Sequence, residues 1–404
     1  MKSVAEHLDE CLTVAAPLPP FAVALSDAVG CVLAEDVRSL VDVPQADLAA
    51  RDGYAVLAGD VEGASRDNPV ALPVVEEIRA DTIDPSRLVA GATVRISSGA
   101  SLPADTEAVV PIESTDQGRA EVQVYRSVRE GENVRQRAED FAAGDVLLRA
   151  GVRIGSRQIA VLASAGHSTV MVHPSPRVVI MAIGDELQEP GMPAAVGKIY
   201  DANSHALASA VRDSGGEVFR VGAVTDDKRD LREMLEDQLV RADIIITTGG
   251  LSYGGGDTLK EVLSPLGTVR FDNVAMAPGR QLGVGRIEGD TTVFCLPGSP
   301  VAAMTAFEVF IRPALRHMAG YSNIHRRSIQ ASVEKSWESP EGEREFVRAR
   351  VVGNPHDGYR VEPLGDPARP LLTALAQANC LAIVPEGQRV VQVGDTLECV
   401  VLNA

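Results

Sequence analysis

ADIIITTGGLSYGGGD, Ala242 to Asp257, is a short apolar run feeding a glycine-rich turn. Ile244, Ile245 and Ile246 form a run too short for a helix core, so they predict a buried strand. The TTGGLSYGGGD that follows holds five glycines in eleven residues and closes on Asp257, a residue type that opens helices. Glycine lets the backbone approach a ligand and take positive φ, and the N–H groups of a helix start favour negative charge. The segment therefore reads as a phosphate- or oxyanion-binding loop, although an ordinary strand-to-helix turn has the same composition.

Working outward, the same texture repeats. RVVIMAIG from Arg177 reads as a strand, SHALASAVRDSGG as a helix with a glycine stop, EVFRVGAV as a strand and KRDLREMLEDQLVRA as an amphipathic helix. TLKEVLSPLG, TVFCLPG and SPVAAMTAFEVFIRPAL continue the alternation. Strands alternating with helices over residues 173–325 predict a doubly wound α/β domain. Ligands of such domains sit beyond the carboxyl ends of the strands. Gly184-Asp185-Glu186, the glycine loop and Pro297-Gly298-Ser299-Pro300 all fall there. Asp185, Glu186, Asp226 and Asp257 gather carboxylates beside the loop, a pattern suited to Mg²⁺ bridging to phosphate. The alternative is helix capping, the reading preferred for Asp227.

The remaining chain is β-rich. Residues 3–14 carry apolar positions at helical spacing and stop before Pro17. The expected units are residues 1–40 with 140–172 (a helix and linker strands), a β-rich unit at 41–139, and a small all-β, barrel-like domain at 326–404. The net charge of −18 opposes nonspecific binding to nucleic acid or an anionic membrane, and aromatics at 4% leave no ladder for base stacking. No apolar run approaches the roughly 18 residues of a membrane span, and the N-terminus lacks a signal-peptide core, so a cytoplasmic location is expected. Five scattered cysteines without metal-ligand spacing read as reduced and mostly buried. No Ser-His-Asp or Cys-His arrangement is visible, and His167 and His205 read as structural. ARDGYAV at 50–56 is either a tight Asp-Gly turn or a device presenting Asp52 to a ligand held elsewhere.

DGYAV at 52–56, ISSGASLP at 96–103, GENVR at 131–135, GDELQEPG at 184–191, the glycine loop and LPGSPV at 296–301 form one ordered set. That set resembles the molybdopterin molybdenumtransferases of the MoeA type, homologous to the E domain of gephyrin, across essentially the whole chain. The resemblance implies four domains per subunit and an elongated homodimer, with the α/β domain facing the N-terminal region of the partner. It implies that adenylylated molybdopterin, delivered by a molybdopterin adenylyltransferase, receives molybdate at its dithiolene sulfurs with Mg²⁺-dependent release of AMP. At matching positions Asp52, Glu186, Asp226 and Asp257 become the implied catalytic residues, with Glu186 and Asp257 on the metal. Ser98, Gly184, Asp185, Thr248, Gly249, Gly250, Ser252, Gly254, Pro278, Gly279, Arg280, Pro297, Gly298 and Ser299 become the implied cofactor-binding residues.

The chain departs from the family pattern in places. Ala49-Ala50-Arg51 stands for serine-alanine-methionine, Ser98 for threonine, Asn273 and Ala277 for two lysines, Gly255 for an acidic residue, Ser299 for asparagine, and Asp105 and Ala138 for glycines. Each lost lysine would forfeit roughly 1 to 3 kcal/mol of charged hydrogen bonding to an oxyanion, which Arg280 would partly offset. These departures motivate a rival reading: a gephyrin-like dimeric scaffold that binds a linear segment of a membrane-receptor tail or of a tubulin-like, FtsZ-type protein. Pro363, Pro370, Leu371 and Leu372 would then line a peptide groove, or else serve only as turn and core residues.

Overall fold

A computed structural model of the chain describes residues 1–82, 86–193, 195–251 and 258–402. Ser252, Gly254, Gly255 and Asp257 lie outside the described residues.

The apolar runs build a six-stranded sheet in the order Glu217–Val224, Arg177–Ile183, Ile244–Thr248, Thr291–Leu296, Gln281–Ile287, Arg270–Asn273. The first four strands are parallel, and Gln281–Ile287 alone runs antiparallel, pairing so with both of its neighbours. Side chains alternate across a strand, so Val178, Ile180, Ile244 and Ile246 enter one core layer while Val179, Met181 and Ile245 enter the other. Helices Asn203–Asp213, Pro300–Ala306 and Arg312–Met318 cover the first layer; Lys228–Leu239 and Thr258–Leu263 cover the second. Coverage on both faces is why these strands read as unbroken apolar runs. The expected doubly wound domain is present.

The N-terminal helix Val4–Val14 begins with a capping box, in which the Glu6 N–H donates to the Ser3 hydroxyl at 3.2 Å and the Ser3 N–H to the Glu6 carboxylate at 2.8 Å. Its Val4 and Cys11 join the first core layer of the α/β sheet. A five-stranded sheet follows in the order Ala108–Pro111, Gly53–Val56, Thr93–Ile96, Val70–Ile78, Glu121–Val124, with Tyr54 fully buried. Phe21–Ala24, Thr169–His173 and Val32–Leu33 form a separate sheet whose core includes Leu162 of helix Ser156–Ser164.

Arg344–Asn354, Gly358–Pro363, Ser328–Val333, Thr396–Val401 and Cys380–Val384 pair in that order, and the last pairs back onto the first, closing a five-stranded barrel. Met276–Ala277 runs parallel to Arg344 and Glu345 and so ties the α/β layer to the barrel. All five cysteines are free, and only Cys31 is not fully buried. Among the described residues no helix is long and apolar enough to cross a membrane.

Candidate active site

Four parallel strands end at Ile183, Val224, Thr248 and Leu296, which brings their following turns to one edge. The Gly184 N–H donates to the Val224 carbonyl at 3.0 Å and the Gly249 N–H to the Leu296 carbonyl at 3.2 Å, stitching neighbouring turns together. Gly249 has φ +91°, and a Cβ there would lie 2.2 Å from the Ile183 carbonyl oxygen, so no other residue fits without displacement. The Asn203 side-chain amide donates to the Thr248 hydroxyl at 2.6 Å and to the Gly298 carbonyl at 2.8 Å, and the Thr248 hydroxyl donates to the Pro297 carbonyl at 3.1 Å. One side chain thus fastens the glycine turn to the Pro-Gly-Ser turn. The buried Asn203 Oδ1 has no hydrogen-bond partner among the described residues. Sequence reading missed Asn203. The signal was Asp201-Ala202-Asn203 at the start of a helix, where buried Asp201 accepts from the Ser204 N–H at 2.9 Å.

On the same edge Asp185 accepts from the Thr225 hydroxyl at 2.8 Å and from the Asp226 N–H at 3.4 Å. Asp185, Glu186 and Asp226 are exposed. Surrounding protein atoms, then the charges of Asp185 and Glu186, hold the Asp226 carboxyl above its ordinary range. Its neighbour Asp227 is spent differently: it caps Lys228–Leu239, accepting from Arg229 N–H at 2.9 Å and Asp230 N–H at 3.1 Å. His205 pairs with Glu189 at 3.3 Å and His167 with the Arg38 carbonyl at 2.7 Å, which gives both local structural partners.

The Pro278-Gly279-Arg280 turn packs against the third loop. Gly279 has φ +88°, and a Cβ on it would lie 2.6 Å from the Ala302 Cβ and 3.3 Å from the Pro297 ring. Arg280 extends toward the barrel, 3.5 Å from Glu343. Ser299 precedes helix Pro300–Ala306 without using its hydroxyl as a cap. A cavity of about 160 Å³ opens beside Leu251, the last described residue before the glycine loop's undescribed part, and is lined also by Lys260, Asp272 and Asn273. Lys260 was not anticipated from sequence.

Asp52 and Ser98 sit together on the five-stranded sheet, where Asp52 accepts from the Ser98 N–H at 2.7 Å and the Ser98 hydroxyl donates to the Ala50 carbonyl at 3.3 Å. Among the described residues no hydrogen bond or ion pair joins them to the α/β strand ends. Asp105 and Ala138, read as substitutes for glycine, both adopt positive φ, 67° and 59°. In the rival reading's groove, Leu371 and Leu372 are exposed while Pro363 is buried in a barrel strand.

The architecture defines a class: a multidomain chain whose doubly wound domain presents glycine turns and carboxylates at one edge, between N-terminal β-rich sheets and a closed barrel. Three family models match in order: the MoeA N-terminal region (domain I and II) at residues 2–166, a "Probable molybdopterin binding domain" at 179–317 and the MoeA C-terminal region (domain IV) at 330–402. Molybdopterin molybdenumtransferase 1 of Mycobacterium tuberculosis is 36% identical over 418 residues, covering 98% of each chain. Molybdopterin molybdenumtransferase 2 of the same organism is 38% identical, covering 98% of this chain and 99% of its own. Two structures of the molybdopterin biosynthesis MoeA protein from Pyrococcus horikoshii, each 28% identical, superpose over 99% or more of both chains with TM-scores of 0.85 and 0.79. The chain belongs to the molybdopterin molybdenumtransferase family.

Proposed function

We propose that this protein completes molybdenum cofactor assembly in the cytoplasm by inserting molybdenum from molybdate into adenylylated molybdopterin, with Mg²⁺-dependent release of AMP. The observation that supports this best is the joined cradle: Asn203 locking Thr248-Gly249-Gly250 to Pro297-Gly298-Ser299 beside three exposed carboxylates. In this reading the turn amides and the hydroxyls of Thr248 and Ser299 hold the anionic groups of the substrate, and Pro278-Gly279 buttresses the third turn.

The acidic group is an all-oxygen donor set; burial first, then the charges of Asp185 and Glu186, holds the Asp226 carboxyl up, and a divalent cation would relieve the repulsion among the three. Glu186, with Asp257, would hold Mg²⁺, which supplies charge neutralisation at the phosphate. Asp226 orients the attacking oxygen. Asp52 and Ser98, held together by the Ser98 N–H, complete the site from the second subunit of a homodimer. Lys260 contributes positive charge at the cavity wall. The full-length relatives named as transferases do not favour the scaffold reading.

Purified protein incubated with adenylylated molybdopterin, Mg²⁺ and molybdate is expected to release AMP in proportion to molybdopterin loaded. Absence of AMP release at every molybdate concentration overturns the assignment.

A further inference from the structure

Further along the sheet, the N-terminal helix meets its last strand, Arg270–Asn273. The Lys2 N–H donates to the Asn273 carbonyl at 2.9 Å and the Ala275 N–H to the Lys2 carbonyl at 2.7 Å, so the chain start lies along residues 273–275. His7 and Glu10, three apart on helix Val4–Val14, share a helix face. One ligand-capable atom from each of His7, Glu10 and Asp272 lies within 4.8 Å of the others. His7 is only 2% exposed, rests edge-on against Phe310 with ring centroids 4.8 Å apart, and has a buried Nδ1 with no hydrogen-bond partner among the described residues. Buried polar atoms are normally satisfied, so a buried imidazole with an unpartnered nitrogen, beside two carboxylates, leaves room for a ligand.

We propose that His7, Glu10 and Asp272 bind a borderline divalent transition-metal ion, Zn²⁺ being the best match, in competition with the Lys2 ammonium. The carboxylates are already organised around a cation: Lys2 Nζ contacts Glu10 and lies 3.1 Å from Asp272, and Arg270 Nε lies 3.5 Å from the other Glu10 oxygen. One imidazole with two carboxylates is a mixed nitrogen–oxygen set, which suits Zn²⁺ and its neighbours and not the all-oxygen preference of Mg²⁺. A neutral imidazole has a ring-nitrogen lone pair to give to such an ion. Lys2 is partly exposed near the chain start, and its flexible stem can carry the ammonium out to water. Asp272 also lines the cavity shared with Lys260 and Asn273, so an ion here adds positive charge to that wall.

The test is calorimetric titration of the chelator-treated full chain with Zn²⁺, with Mg²⁺ as comparator and circular dichroism confirming the fold of each variant. Saturable one-to-one Zn²⁺ binding is expected, weakened about tenfold or more by Glu10→Gln or Asp272→Asn. Lys2→Met, which removes the competing ammonium, is expected to tighten it. Because His7 packs in the core, His7→Gln serves only as a secondary variant. Absence of saturable Zn²⁺ binding, binding indifferent to Glu10→Gln and Asp272→Asn, or weaker binding in Lys2→Met each overturns the proposal.

Discussion

The side-chain amide of Asn203 and the hydroxyl of Thr248 are hydrogen-bonded at 2.6 Å, and the same amide reaches the Gly298 carbonyl at 2.8 Å. Asn203→Ala would leave the Gly298 carbonyl and the Thr248 hydroxyl each short of a donor and the two turns unfastened. A loss of about 1 to 3 kcal/mol of transition-state stabilisation, or roughly 5- to 150-fold in kcat/KM for AMP release, is expected with the fold retained. Unchanged kcat/KM in a folded variant would remove Asn203 from the site.

Two glycines of the cradle make a matched pair. Gly249→Ala places a methyl 2.2 Å from the Ile183 carbonyl at φ +91°, whereas Gly298→Ala meets only the Gly249 Cα, at 3.7 Å. The first substitution is expected to cost more than about 3 kcal/mol and the second less than about 1 kcal/mol, as urea midpoints would show.

Ala138 occupies the left-handed region at φ 59°, its N–H donating to the Pro44 carbonyl at 3.0 Å. Ala138→Gly removes the Cβ penalty of that conformation and is expected to stabilise the chain by about 0.5 to 1 kcal/mol, raising the unfolding temperature. A drop would mean that Ala138 packs usefully.

Trp337, the single tryptophan, donates its indole N–H to Glu345 at 3.2 Å beside the barrel core. Burial pushes the Glu345 carboxyl above its ordinary value of 4.5, against the opposing pull of hydrogen bonds and Arg348. The native chain therefore keeps this proton to higher pH than the unfolded chain. The associated stability is complete below the unfolded pKa and is lost as pH rises through the native one. Glu345→Gln cannot ionise, so the decline in barrel stability with rising pH should flatten, read by tryptophan fluorescence in urea. An unchanged slope contradicts this account.

If the site is shared between subunits, neither Asp52→Ala nor Glu186→Gln homodimers should turn over, but mixed dimers should regain one intact site. Equal mixing with subunit exchange predicts recovery to about one quarter of the unmodified activity. No recovery after verified exchange would place both residues in one subunit's site.

How legible each feature was depends on where its information lies. The α/β sheet could be read because each strand is buried on both faces, so Ile244-Ile245-Ile246 and RVVIMAIG carry their environment in their own composition. The positive φ at Gly249, Gly250 and Gly279 followed from glycine in turn motifs, and Asp227 announced its cap by residue type and position. Asn203 and Lys260 went unseen, because an amide or an ammonium declares no partner until the chain has folded around it.

The sequence by itself determined the order of elements, the glycine turns, the carboxylates at the strand ends and, through six spaced motifs, the family. These are local or collinear properties, fixed by backbone sterics, side-chain periodicity and motif order. Only the tertiary structure decided that Val4–Val14 seats in the α/β core, that one asparagine joins two turns lying 45 and 95 positions further along the chain, and that His7 and Glu10 lie close to Asp272. Such contacts depend on chain closure across long separations, which no window of neighbouring residues encodes.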